Sequence, residues 1–245
     1  MKDFILNALE EIQNGYSLCG VVDRRARVYP LGSDTKVIST LFEIVVRQVV
    51  AAYADHAKVN LIEPKQQNHY PDFTLAPTGS YGNKIALDVK TTYRGNAQST
   101  FNYTLGSYTS YMHPETEGKN IVFPYSQYAE HWIIGFCYRR SDHKRDTSGR
   151  IYSFDTLSEM PVPFDDVEVF MQEKWRIAGD KAGSGNTANV GSIKGTLQDF
   201  QDGNGPFASE REFLEYWRGY KRTKEERLSA YSNIHEFRTQ KGTKR

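Results

Sequence analysis

Gln66-Gln67-Asn68-His69-Tyr70-Pro71-Asp72-Phe73-Thr74-Leu75 and Lys84-Ile85-Ala86-Leu87-Asp88-Val89-Lys90-Thr91 read as the two strands of one hairpin. Alternate strand residues share a face, so Lys84, Ala86, Asp88 and Lys90 point one way while Ile85, Leu87 and Val89 point into a core. The connection from Pro77 to Asn83 is rich in Gly, Pro, Ser and Asn, which suits a chain reversal. Pairing brings the backbones to roughly 5 Å, so Asp72 approaches Asp88 and Lys90 lies beside it. Two carboxylates that close can share a hard cation such as magnesium. Phosphodiester hydrolysis needs such a cation to neutralise charge and activate water, together with a positive side chain near the phosphate. Asp72, Asp88 and Lys90 supply these groups. An exposed strand with a surface ion pair fits the same letters, because acidic-x-Lys also begins at Asp34, Glu63, Glu117 and Asp142. The preceding Pro71-Asp72 and the strand alternation set Asp88 apart.

Outward from the hairpin, residues 3–13 have a helical pattern through Phe4, Ile5, Ala8, Leu9 and Ile12. Short strands are expected at 18–22 and 27–29. Ser33 or Asp34 caps a helix running to about Lys58. That helix is apolar through Val37, Leu41, Phe42, Ile44, Val45, Val49 and Ala52, with a polar stripe of Lys36, Thr40, Glu43 and Arg47. Solvent explains the stripe unless the helix packs beside the hairpin, where Glu43 would add a third carboxylate. Further strands are expected at 100–105, 121–123, 131–138, 167–170 and 174–178, with 131–138 central and covered on both faces. Residues 139–150 are a surface loop. Ser209 with Glu212 forms a capping box before a helix through Phe213, Leu214 and Trp217.

The chain of 245 residues can bury a sizeable core as one α/β domain. Cys19 and Cys137 have no metal-ligand spacing and suit free, buried thiols in a reducing compartment. No signal peptide and no segment long enough to span a membrane are read, so a soluble, cytoplasmic protein is expected. The net charge of +1 is unevenly spread: from Arg211 onward ten Lys and Arg face five Asp and Glu, leaving +5 there and −4 before it. That end can face a polyanion or simply be a solvated helical face.

The loop from Gly183 to Asn189 admits three readings: a flexible connection, a phosphate cradle or a base reader. No Gly-Lys-Ser/Thr follows, which disfavours the cradle. Glycines permit close backbone approach, and an Asn side chain can contact adenine through two hydrogen bonds.

Pro71-Asp72 with Asp88-Val89-Lys90 resembles the PD-(D/E)xK nuclease motif. The surrounding sequence is similar to the EcoRV-like type II restriction endonucleases, through residues 29–36, 63–75, 88–93, 131–135, 177–180, 182–187 and 215–218. The resemblance implies a central mixed β-sheet flanked by helices, within a single domain over 1–245 that carries recognition and dimerisation elements. It implies that Asp72, Asp88 and the accessory Glu43 attend a magnesium site, with manganese as an acceptable substitute, and that Lys90 assists the attacking water. Gly183, Ser184, Gly185, Asn186, Thr187 and Asn189 would belong to the loop that reads GATATC, and Gln67 and Asn68 to the minor-groove side. Lys36, Thr91, Ser110, Lys119, Arg222 and Arg227 would serve backbone contact or its coupling to catalysis. The implied partners are double-stranded DNA, a second copy of the chain, and a separate methyltransferase protecting host DNA. In this stretch Ala188 replaces a Thr of the family pattern and Lys181 an apolar residue. The alternatives are a repair or junction-resolving nuclease, or a non-catalytic DNA-binding protein on the same scaffold.

Overall fold

Helix α1 (Lys2–Gln13), the ribbon of β1 (Gly20–Val22) and β2 (Val28–Pro30), and helix α2 (Thr35–Ala57) precede the hairpin. β3 (Asn60–Ile62), β4 (Phe73–Ala76), β5 (Lys84–Arg94), then, after β6 (Thr104–Ser107), β7 (Tyr128–Arg140) and β8 (Phe164–Glu173) follow. The chain continues through α3 (Lys174–Ile177), β9 (Ala178–Gly183), β10 (Asn186–Ser192), α4 (Leu197–Asp202), α5 (Glu210–Gly219), α6 (Lys224–Leu228) and α7 (Ile234–Thr243). This computed structural model describes residues 1–13, 18–79, 83–95, 99–116, 118–141, 149–183, 186–221, 223–228 and 230–243.

The decisive hairpin is present. β4 pairs antiparallel with β5, Phe73 opposite Leu87. The central sheet runs β3-β4-β5-β7-β8 and is mixed, since β5 and β7 are parallel. A second antiparallel sheet, β6-β10-β9, stands apart from it.

Each face of the central sheet carries its own core. On one side Ile5 and Leu9 of α1 and Phe42 and Val46 of α2 pack with Leu87, Val89, Ile134 and Phe136. Phe42 stacks on Phe136 at 4.4 Å between centroids. On the other side Ala86, Ile133 and Phe170 lie under Tyr70, Tyr103, Tyr111 and Phe200. The β5 face expected to be polar is therefore covered, and Asp88 is only 3% exposed.

Several sequence expectations change. Asp34, not Ser33, caps α2: its Oδ1 accepts from the N–H groups of Lys36 and Val37 at 2.9 and 3.4 Å. The buried stripe of α2 is Ile38, Phe42, Val46, Val50 and Ala54, whereas Val37 and Ile44 are exposed. A helix apolar nearly all round does not announce its inner face, and the sheet selects it. By length and hydropathy α2 also suffices to cross a membrane, contrary to the expectation that no segment does. Here its stripe is packed on the sheet instead, and each fully buried side chain stabilises that packing by about 1.5–3 kcal/mol.

The strand expected at 174–178 is a single helical turn, α3, closed by the Ala178 N–H donating to the Lys174 carbonyl. It turns the chain from the central sheet into β9. The strand at 100–105 shrinks to β6 plus a bridge of Phe101 to Gly195, and 121–123 to a bridge of Ile121 to Tyr70. Of the loop expected from Gly183 to Asn189, Gly183 ends β9 and residues 186–189 belong to β10, so the described part is hairpin strand. The box at Ser209 is half formed, because Glu212 N–H donates to Ser209 Oγ while the Glu212 carboxylate accepts from Ala208 N–H. Cys137 is buried as expected, and Cys19 is half-buried.

Candidate active site

Asp72 is the residue before β4, and Asp88 lies inside β5. The Val89 N–H donates to Asp72 Oδ2 at 2.7 Å, fixing that carboxylate across the hairpin. Lys90 Nζ stands 2.6 Å from Asp88 Oδ2 and donates to the Val89 carbonyl at 3.0 Å. The Lys90 side chain is 24% exposed and that of Asp88 5%, so the ammonium faces the cleft while its partner lies beneath.

The charges are strongly interdependent. Burial, and then the neighbouring Asp88, push the Asp72 carboxyl up to about 7, against the opposing pull of Lys90 and the Val89 N–H. Burial disfavours a charged Lys90, but Asp88 and Asp72 outweigh it and hold the amine above the usual lysine range. Lys90 is therefore an ammonium at neutral pH. Burial also raises Glu43, with Lys90 opposing and Asp88 reinforcing the shift.

These residues fit a divalent cation. Asp88 Oδ2 is buried and, despite the short ionic contact with Lys90, receives no aligned hydrogen bond. Asp72 has a carboxyl that the protein alone leaves half-protonated near pH 7. A hard cation relieves both conditions. Among the described residues no three His, Cys, Asp or Glu side chains converge on one point. Asp72 and Asp88 are the carboxylates that would hold such a cation, and Glu43 lines a neighbouring groove with Thr40, Arg47 and Glu63 that shares Asp72 and Gln67.

A cleft of about 360 Å³ gathers Gln67, Asn68, Asp72, Asp88, Lys90, Ser110 and Asn189. Asn189 arrives from β10 of the second sheet, where it pairs with Ser107. Gly183 pairs with Asn186 at the hairpin end. Ser184 and Gly185 lie outside the described residues, and Asn186 and Thr187 are described only as backbone of β10. The Ala188 carbonyl accepts from Tyr108 N–H at 3.2 Å and Ser107 Oγ at 3.3 Å. Gly179 permits the two strands to close up, since a Cβ there would stand 2.8 Å from the Ser192 carbonyl oxygen. Lys181 Nζ donates to the Ser232 carbonyl at 2.7 Å, tying β9 to the segment before α7.

The other expected contact residues are dispersed. Thr91 follows Lys90 in β5, and Lys36 is exposed on the first turn of α2. Ser110 Oγ donates to the carbonyl of exposed Lys119 at 3.1 Å. Arg227 is on α6, its Nη1 donating to the Lys221 carbonyl at 2.9 Å; Arg222 lies outside the described residues. The basic C-terminal end is partly neutralised within the fold: Arg238 pairs with Glu212 at 2.8 Å, and Lys241 with Glu215.

Sequence reasoning passed over Tyr70, Tyr111, His131 and Lys174, which form a buried cluster under the cleft. The cleft face of this cluster is Tyr70 and Tyr111. Tyr70 precedes Pro71-Asp72, but nothing in the spacing of Tyr111 or Lys174 brings them to it; only the crossing of the two sheets does.

The family model described as restriction endonuclease EcoRV matches residues 12–242. The type II restriction enzyme EcoRV of Escherichia coli is 47% identical over 238 residues, 97% of this chain and 96% of that protein. Among solved structures, the NlaIV restriction endonuclease aligns over 99% of this chain and 90% of its own, with 11% identity and a TM-score of 0.46.

Proposed function

The chain belongs to the restriction endonuclease EcoRV family, and from that membership we propose that this type II site-specific deoxyribonuclease cuts duplex DNA at palindromic GATATC, leaving blunt ends with 5′-phosphates, in a magnesium-dependent reaction. The observation that carries the reading is one cleft shared by Asp72, Asp88 and Lys90 from the central sheet and Asn189 from the recognition sheet. Cutting groups and reading element thus address the same stretch of DNA.

Asp72 and Asp88 would hold the magnesium, and manganese suits the same oxygen donors. The bound cation supplies neutralisation of phosphate charge and a more acidic water. Lys90, whose ammonium stands beside Asp88, is placed to donate to the charge that develops on the phosphate and to assist the attacking water. The oxygen of a water bonds to phosphorus as its proton passes to the surrounding water, the bond from phosphorus to the 3′ oxygen breaks with its electron pair staying on oxygen, and that oxygen takes a proton from water to become the 3′-hydroxyl. Glu43 is an accessory acid whose charge is felt by Asp72 and Lys90.

In the reader, Gly183, Ser184, Gly185, Asn186 and Thr187 contact the outer base pairs, with Gln67 and Asn68 on the minor-groove side. Lys36, Thr91, Ser110, Lys119, Arg222 and Arg227 serve the DNA backbone. Ala188 contributes through its carbonyl, so its change of side chain leaves those hydrogen bonds in place. Asn186→Ala should reduce discrimination between GATATC and single-base-pair variants by about 10- to 100-fold, while non-specific binding changes little. Competitive cleavage of short duplexes measures this, and an unchanged ratio would remove Asn186 as a reader.

A two-fold DNA site calls for a two-fold protein. Val21 and Val22 of the β1–β2 ribbon are 56% and 53% exposed, and Ile151 and Phe154 are 47% and 56%. The bridge of Val28 to Tyr152 sets these two segments side by side, and their exposed apolar side chains support a homodimer seated there. Val22→Asp with Phe154→Asp should shift the protein to a monomer in sedimentation and lower concerted double-strand cutting; an unchanged mass would place the interface elsewhere. One domain with these recognition and dimerisation elements, a cytoplasmic location and a separate protecting methyltransferase complete the reading.

A further inference from the structure

Lys174 is fully buried, and the cleavage mechanism above does not use it. Among the described residues no carboxylate comes within 4 Å of it. Its Nζ donates to Tyr111 Oη at 3.3 Å and lies 4.6 Å from the centroid of Tyr70, 5.2 Å from Tyr111 and 6.0 Å from Tyr125. Aromatic faces return only part of what a desolvated amine loses, and an apolar side chain of similar volume would fill the space at lower cost. Burial lowers its proton affinity to about 7, against the pull of nearby Asp88. Packing alone does not account for a lysine here.

Its neighbours connect the two sheets. Tyr70 stacks on Tyr111 at 4.4 Å and 10°, and leads directly into Pro71-Asp72. Tyr111 Oη abuts β6, standing 2.0 Å from where a Cβ on Gly106 would be. The next residue of β6, Ser107, pairs with Asn189 of the recognition hairpin. Lys174 itself begins α3, the turn between β8 of the central sheet and β9 of the recognition sheet.

We propose that Lys174 is a positioning residue that couples recognition to cleavage: its amine clamps Tyr70 against Tyr111, so that the seating of the β9–β10 hairpin on DNA sets the approach of Asp72 to Asp88. This rests on the site-specific nuclease reading, which wild-type protein tests separately in the same assay: failure to cut any duplex would remove that reading first.

The experiment compares full-length Lys174→Met with wild type in thermal melting, in metal-free binding to a GATATC duplex, and in single-turnover cleavage of that duplex and a one-base-pair variant. Lys174→Met should melt no lower than wild type and bind within about twofold, yet cleave the preferred duplex at least about tenfold more slowly, with the preference over the variant duplex shrinking at least about fivefold. A wild-type rate and preference would overturn the proposal, as would an equal loss on both duplexes. If Lys174→Met does not fold, Tyr111→Phe removes only the hydroxyl that Lys174 engages. A folded Tyr111→Phe protein should show the same shrunken preference, and full preference would overturn the coupling.

Discussion

Asp88→Ala is expected to lose duplex cleavage by about four orders of magnitude or more, because in the proposed reading this carboxylate would hold the cation and it pairs with the Lys90 ammonium. Asp88 is buried inside β5, and Lys90 Nζ stands 2.6 Å from it. The substitution removes the carboxylate beside the ammonium, which keeps its bond to the Val89 carbonyl, and leaves a small gap, a loss on the order of 1–3 kcal/mol of stability. Because Lys90 is partly exposed, its amine can turn to water and the fold survives. Asp88→Asn keeps the shape and should be equally inactive. Circular dichroism melts with single-turnover cleavage separate the two effects; a folded Asp88→Ala protein that cuts at the wild-type rate would exclude this site.

Asp72→Asn is expected to abolish cleavage to a similar degree and, unusually for an active-site change, to stabilise the metal-free protein. In the folded state burial and Asp88 raise the Asp72 carboxyl from 3.8 to about 7. The folded protein therefore holds that proton more tightly than the unfolded chain does. The resulting stability is fully present below pH 3.8 and is lost as pH rises through 7. An amide removes this loss. At pH 8 the variant should exceed wild type by on the order of 1–3 kcal/mol, a rise of several degrees in Tm for a chain of this size, and the gap should close toward pH 4. Magnesium should raise the Tm of wild type and not of the variant. Melting curves at pH 5 and 8 check the sign, and a variant less stable than wild type at pH 8 would show that Asp72 is not held in this environment.

The β4–β5 hairpin was legible because strand alternation is local: Asp88 and Lys90 lie two residues apart, and the pairing of Phe73 with Leu87 puts Asp72 opposite Asp88. Its surroundings were not. The face of β5 that bears Asp88 reads as polar in sequence, yet a second core covers it, built by Tyr103, Tyr111 and Phe200 from distant segments. On α2 an almost uniformly apolar surface hid the choice between Val37 and Ile38. At Lys174 the strand-like letters conceal a turn that only the change of sheet explains. Glu43 was found by helical spacing, but that spacing carries no distance to Asp88, and the structure sets it in the adjoining groove.

The central claim is that the Asp72–Asp88–Lys90 cleft cuts where the β9–β10 hairpin reads. It is tested most directly by digesting a plasmid of known sequence with the purified protein, with magnesium and with chelator, and mapping every end to the nucleotide. Flush ends with 5′-phosphates at GATATC, and intact plasmid in chelator, are expected. Cleavage without divalent cation, or ends scattered without a common sequence, would contradict it.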